Sequence, residues 1–286
     1  MAMAASDSNA QAPAQAPFSL VGKSALVTGA ARGIGLAISR ALAASGATVL
    51  MTDIDADEAE HSAAAVGSGG RCSVSPAPSA LACRLDVTSP ESIHAAVEYG
   101  VAQMGRIDIL VNNAGINTAS DRVTVERYRE EDWRRILSVD LDGVFLVSRP
   151  VVEHMKTIGG GRIVNISSVL GIVPARLQSG YIAAKAAVIG LTRSMAIELA
   201  PHGILVNSVA PGSTLTEGTR KLFYGEDGAY SDKAQSLLSH IPLGRPAQPE
   251  EIAAAVVYLA APASSYVTGV VLPVDGGWTS GYLRDW

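Results

Sequence analysis

Cysteine is nearly absent from this sequence: Cys72 and Cys83 are the only two in 286 residues. That excludes a disulfide framework and suggests a reducing compartment, so a cytoplasmic location is expected. The two flank a Ser/Pro/Ala-rich loop, and a bridge between them is geometrically open. Long apolar runs are missing as well. No window approaches the roughly 18 uninterrupted apolar residues of a membrane span, so no membrane-crossing segment is expected. The opening "MAMAASDSNAQAPAQAP" lacks the basic start and apolar core of a signal peptide and reads as a flexible tail over 1–19. A basic excess is lacking too: 22 Lys and Arg face 27 Asp and Glu, for a net charge of −5. Such a surface argues against nucleic acid or an anionic membrane as the main partner. What the chain does have is 48% apolar residues and 28 glycines, enough to bury a large core and far from a disordered composition.

From residue 24 onward, short apolar strands alternate with glycine turns and helices. "SALVTG", "ATVLMTD", "ALACRLD", "IDILVNNAG", "GRIVNISS", "ILVNSVAPG" and "GVVLPVDGG" read as strands. Between them lie helices such as "IGLAISRALAASG", 129–157, 179–201 and 249–260. The helix after strand three opens with Ser89 at its N-cap and Pro90 behind it. Near-continuously apolar strands alternating with helices describe a parallel sheet covered on both faces. The expected fold is α/β, one doubly wound Rossmann domain over 20–286, with a helical substrate lid at about 213–243.

"TGAARGIG", Thr28 to Gly35, lies directly between strand one and helix one. Gly29, Gly33 and Gly35 suit a backbone that must approach a pyrophosphate, and the helix N-terminus beyond offers unpaired N–H groups. Arg32 and Ile34 share this loop. Asp53 ends the second strand 18 residues after Gly35, beside Ile54. A carboxylate there accepts the adenosine ribose hydroxyls and repels a 2′-phosphate, which favours NAD over NADP. Arg32 is the counter-evidence, because a guanidinium could meet that phosphate, but no basic residue joins it at 53 or 54. Asp86, taken as the end of strand three and followed by Val87, would lie beside the adenine; otherwise it caps the next helix.

"YIAAK" places Tyr181 and Lys185 on one helical face, a turn apart. A tyrosine with its ordinary pKa near ~10 is a poor base at neutral pH, and an ammonium beside it favours the phenolate. Such a pair can exchange a proton with an alcohol or carbonyl oxygen while hydride moves to or from a nicotinamide. Ser168, at the end of strand five, adds a hydroxyl for the same oxygen.

These pieces resemble the classical short-chain dehydrogenase/reductase family over essentially 20–280. The resemblance rests on "TGAARGIG", "NNAG" at 112–115, "ISS" at 166–168, "YIAAK" at 181–185, "NSVAPG" at 207–212 and "VDGG" at 274–277. Ser168 stands thirteen residues before Tyr181, a spacing that is part of the match. The resemblance implies that Tyr181 is the acid/base, that Ser168 orients the substrate oxygen, and that Lys185 lowers the tyrosine pKa, holds the nicotinamide ribose and begins a proton relay. It further implies that Asn113, Ala114 and Gly115 support the sheet and pass the cofactor. Pro211, Gly212, Thr214 and Thr216 would close over the nicotinamide carboxamide, with Thr214 where the family more often carries Val or Ile. No metal is implied. The family's fourth catalytic residue is an asparagine, and this chain has Asp140 there, in "SVDLDG". An ionised carboxylate would hold Lys185 charged; a buried, unpaired one would become a neutral donor.

Substrate specificity is expected in 116–120, 169–178 and the lid. Phe223, Tyr224 and Leu238 either close over a ligand or pack the lid onto the body. Asn117, Ser120, Arg176, Gln178 and His240 favour a polar small-molecule alcohol or ketone, such as a sugar or polyol. A 3-oxoacyl thioester reductase is the alternative, and a non-catalytic dinucleotide-binding or structural protein is the alternative of another class. Helices 129–157 and 179–200 have faces of the kind that pair between subunits in the resembled family, which implies a homotetramer, with a dimer as the smaller alternative. The aromatic tail "WTSGYLRDW" packs either across an interface or on its own subunit.

Overall fold

The computed structural model describes residues 16–69, 79–117, 122–224 and 229–281. Cys72, Ser120 and the Gly/acidic turn of the lid at 225–228 lie outside them. The chain alternates strand and helix through its first half: β1 (Ser24–Thr28), α1 (Gly33–Ala44), β2 (Thr48–Asp53), α2 (Ala56–Gly69), β3 (Ala80–Arg84), α3 (Pro90–Met104) and β4 (Ile109–Asn112). The second half adds α4 (Glu130–Leu137), α5 (Gly143–Thr157), β5 (Gly161–Ile166), α6 (Ser179–Leu199), β6 (Ile204–Pro211), α7 (Arg220–Phe223), α8 (Asp232–Leu238), α9 (Pro249–Ala260) and β7 (Val271–Val274). The seven strands form one parallel sheet in the order β3-β2-β1-β4-β5-β6-β7. Strand order therefore reverses between β1 and β4, where doubly wound sheets bind ligands at the strands' carboxyl ends.

Successive strand residues point to opposite faces, so each apolar strand feeds two cores. Val27, Met51, Val111 and Val164 pack under α1 and α9 with Ile38, Leu42, Ile252 and Val256. Their neighbours Leu26, Leu50, Leu110 and Ile163 pack under α3, α5 and α6 with Val97, Val151 and Met195. Truncating such a residue, Leu110→Ala for example, removes roughly 2–5 kcal/mol of stability.

Several boundaries differ from the sequence reading. β3 ends at Arg84, so Asp86 lies two residues beyond the strand rather than at its end. The helical region 129–157 is interrupted by a π-helical turn, Ser138–Asp142, that joins α4 to α5. Of the expected tail, residues 1–15 lie outside the described residues. Beyond them, Ala263 N–H donates to Pro17 O, and the Phe18 ring lies 6.5 Å from that of Tyr258. Among the described residues no helix is long and apolar enough to cross a membrane.

Candidate active site

The carboxyl ends of β1 and β4 are tied together by the glycine-loop residues. Thr28 Oγ1 accepts from the N–H groups of Asn113 and Ala114, both at 3.0 Å. Asn113 Nδ2 donates in turn to Thr28 O at 3.0 Å and Gly29 O at 2.8 Å. Gly35 sits so tightly against this turn that a Cβ there would lie 2.1 Å from Gly29 O. α1 opens at Gly33 with no side chain capping it and no acidic residue in its first turn. Its first N–H groups therefore stay available to an anion.

At the far end of this edge, Asp53 Oδ2 accepts from Ala31 N–H at 3.1 Å and Oδ1 from Asp55 N–H at 3.1 Å. Arg32, whose target the sequence leaves open, forms an ion pair with Asp55. Ile54 is 60% exposed beside them, whereas Val87 is buried against Gly143. Asp86 accepts from both the N–H and the hydroxyl of Thr88, and these bonds hold its carboxyl below the usual range. It does not cap α3: Ser89 does, accepting from Ser92 N–H at 3.2 Å.

The catalytic candidates converge across three elements. Ser168 follows β5, and its Oγ accepts from Leu170 N–H at 3.1 Å, leaving the hydroxyl proton free to donate. Tyr181 and Lys185 lie on α6, with Lys185 Nζ 5.6 Å from the centre of the Tyr181 ring. That ammonium is buried and donates to Ile166 O at 3.1 Å. Asp140 Oδ2 stands 3.1 Å from the same Nζ.

The π-helical turn explains how Asp140 arrives there. One extra residue in the turn swings its side chain inward, and it is 0% exposed. Its Oδ1 accepts from Ile116 N–H at 2.8 Å, whereas Oδ2 makes the Lys185 contact as an ion pair and has no aligned hydrogen-bond donor. Gly115 leaves room for this pair, since a Cβ there would lie 2.9 Å from Oδ2 and 3.3 Å from Nζ. Asp140 is therefore buried against a cationic partner and not buried alone. Burial pulls the Lys185 ammonium down, but the Asp140 carboxylate and Tyr181 outweigh it, so the net shift is upward and Lys185 stays charged.

Ser168, Tyr181, Lys185 and Asp140 line one cleft of about 430 Å³. Ile34, Asn113, Gly115, Pro211, Gly212, Thr214 and Thr216 line it as well. Gly29, Arg32, Gly33, Gly35, Asp53, Ile54, Asp86, Val87 and Ala114 do not line it. Asn113, which lines it, donates to Gly29 O, and Ala31 N–H ties Asp53 to the glycine loop. Thr219 pins the loop above, accepting from Thr216 N–H and donating to Thr214 O, both at 2.7 Å.

Segment 213–243 forms α7 and α8 around a small core of its own: Phe223, Ala234, Leu238 and Ile241. Phe223 both packs there and lines the cleft. Trp278 joins this core from the same subunit and reaches the cleft; residues 282–286 of the tail lie outside the described residues. His240 is a correction: it is exposed, bonds Ser236 O through Nδ1, and does not line the cleft. Arg122 and Trp278 line it and were not expected.

A family model described as enoyl-(acyl carrier protein) reductase matches residues 29–279. The cis-4-hydroxycyclohexanecarboxylate dehydrogenase of Sinomonas cyclohexanicum is 41% identical over 256 residues, covering 90% of this chain and 96% of that one. The chain belongs to the classical short-chain dehydrogenase/reductase family. As a member it is an oxidoreductase that uses a nicotinamide dinucleotide. The 3-oxoacyl-(acyl-carrier-protein) reductase of Thermotoga maritima is 45% identical over 260 residues, covering 90% of this chain and 98% of its own. A gluconate 5-dehydrogenase from Burkholderia cenocepacia, solved with NADP and tartrate, superposes with a TM-score of 0.83 at 36% identity, covering 93% of this chain and 98% of that one.

Proposed function

We propose that this short-chain dehydrogenase/reductase moves a hydride between NAD and a secondary alcohol or its ketone, on a polar substrate such as a sugar or polyol. A bound nicotinamide supplies the hydride acceptor for oxidation and the donor for reduction. The uncapped N-terminus of α1 would hold its pyrophosphate, and Ile34, Thr214 and Thr216, which line the cleft, would hold its ring.

The chain's own residues handle the proton. Ser168 donates its hydroxyl proton to the substrate oxygen and fixes it against Tyr181. In oxidation the Tyr181 phenolate takes the alcohol proton as the carbinol carbon gives up its hydride, leaving a ketone; in reduction both transfers reverse. Lys185, kept charged, stabilises the phenolate. Asp140 is a positioning residue that holds Lys185 through their ion pair. Three relatives named for a hydroxycyclohexanecarboxylate, an oxoacyl carrier thioester and gluconate share a hydroxyl or carbonyl centre and little else. They support the reaction class and leave the substrate to this chain's own cleft.

The observation that carries the preference for NAD is the Asp53–Arg32–Asp55 arrangement. A 2′-phosphate would meet the Asp53 carboxylate, while the guanidinium of the glycine loop, Arg32, is paired with Asp55. Fluorescence titration with NADH and NADPH tests it: NADH binding tighter by on the order of tenfold is expected. Equal affinity, or a preference for NADPH, overturns the coenzyme assignment.

A further inference from the structure

Four charged residues line the cleft among the described residues: Arg122, Arg176, Lys185 and Asp140. Lys185 and Asp140 neutralise each other at 3.1 Å. That leaves two guanidinium groups to set the field at the rim, in a chain whose net charge is −5. Six other arginines (32, 106, 129, 134, 135 and 245) are held in ion pairs. Neither Arg122 nor Arg176 has an ion pair or a hydrogen bond among the described residues. They come from different loops, one after β4 and one after β5, and both border the catalytic cleft.

A second observation lies beside them. Gln178 lines the cleft, is 5% exposed, and its Oε1 has no hydrogen-bond donor. A buried acceptor without a donor is costly, and a ligand hydroxyl would satisfy it. Leu177, between Arg176 and Gln178, is the one non-glycine residue with positive φ among the described residues, at 69°. Backbone held in that region is a feature that clusters at ligand sites, and here it lies between an exposed arginine and a buried glutamine that both line the cleft.

We propose that the substrate is a hydroxy acid: a polyhydroxylated alcohol that also carries a carboxylate. Its reacting carbinol lies at Ser168 and Tyr181, a neighbouring hydroxyl donates to Gln178 Oε1, and its carboxylate is taken by Arg176 and Arg122. This deepens the hydride-transfer reading above and rests on it. Guanidinium groups suit the role because they hold a carboxylate through paired, charge-assisted hydrogen bonds.

The test measures kcat/KM with NAD for acids and matched neutral compounds: gluconate against sorbitol, and 4-hydroxycyclohexanecarboxylate against its carboxamide. Acids are expected to be favoured by about 10- to 100-fold, the range of a hydrogen-bonded charge contact. In Arg176→Gln and in Arg122→Gln the acid-to-neutral ratio is expected to fall by a similar factor through KM, and Arg176→Lys to restore part of it. Neutral compounds turned over as well as acids, by a wild type that loses activity in Tyr181→Phe, overturn the carboxylate assignment and leave the hydride-transfer reading standing. Full turnover by folded Tyr181→Phe overturns that reading as well, and no turnover of any compound with NAD or NADP overturns both.

Discussion

Asp140 binds Lys185 through one carboxylate oxygen and the backbone of Ile116 through the other. Asparagine at this position keeps the shape and the bond to Ile116 but loses the charge. In Asp140→Asn, burial of Lys185 is no longer offset by the carboxylate, so the lysine gives up its proton at lower pH. While still charged, it also acts on the phenolate without a neutralising partner. The two effects fall on opposite limbs of the pH–rate profile for alcohol oxidation: the rising limb is expected to move to lower pH while Lys185 is charged, and activity to fall at the high-pH end where Lys185 has lost its proton. A profile identical to the parent's, with matching thermal unfolding, leaves Asp140 without influence on the chemistry. The identity of this residue was legible in the sequence because the resembled family has an amide there. Its ion pair was not, because it depends on a π-helical turn. One added residue in a helix leaves no mark in apolar spacing.

At the scale of elements, α9 shows how a helix end is fastened beside the cleft loop. Gln248 caps it, Pro249 starts it, and Glu251 closes a capping box by accepting from Gln248 N–H at 2.8 Å. Arg245 donates to both Glu251 oxygens at 2.7 Å. These bonds, the Arg245 ones foremost, push the Glu251 carboxyl down to about 2 from its ordinary 4.5. A depressed carboxyl contributes stability that is present above pH 4.5 and is lost as pH falls toward 2. Both side chains are nearly half exposed, so solvent screening keeps the contribution to about 1 kcal/mol or less. Glu251→Gln is expected to lower the urea midpoint at neutral pH, with the gap to wild type narrowing as pH falls below 4.5. A gap independent of pH contradicts the ionic role. Elements of this kind were legible where chemistry is local: Ser89 and Pro90 mark the start of α3, and "ILVN" in β4 reads as a strand buried on both faces. Arg122 and Trp278 were not legible as cleft residues, because only the fold brings a loop after β4 and the end of the chain to Tyr181.

For the whole molecule, Trp133 on α4, Phe145 on α5 and Ile197 on α6 remain partly or largely uncovered within one chain. Partner helices in a homotetramer built from dimers would bury them, and we propose that assembly. Light scattering after size exclusion is expected to give four times the 29.5 kDa chain, with Phe145→Glu plus Ile197→Glu yielding a smaller species. A monomeric wild type contradicts it. The central claim concerns the chemistry: Tyr181 exchanges the proton while hydride passes between substrate and nicotinamide. The direct measurement is the rate of NADH formation from NAD and an accepted hydroxy compound, for wild type and Tyr181→Phe at equal folded fraction. A loss of about 100- to 10,000-fold in kcat with coenzyme binding retained is the predicted result. A Tyr181→Phe enzyme that forms NADH at the wild-type rate would contradict it.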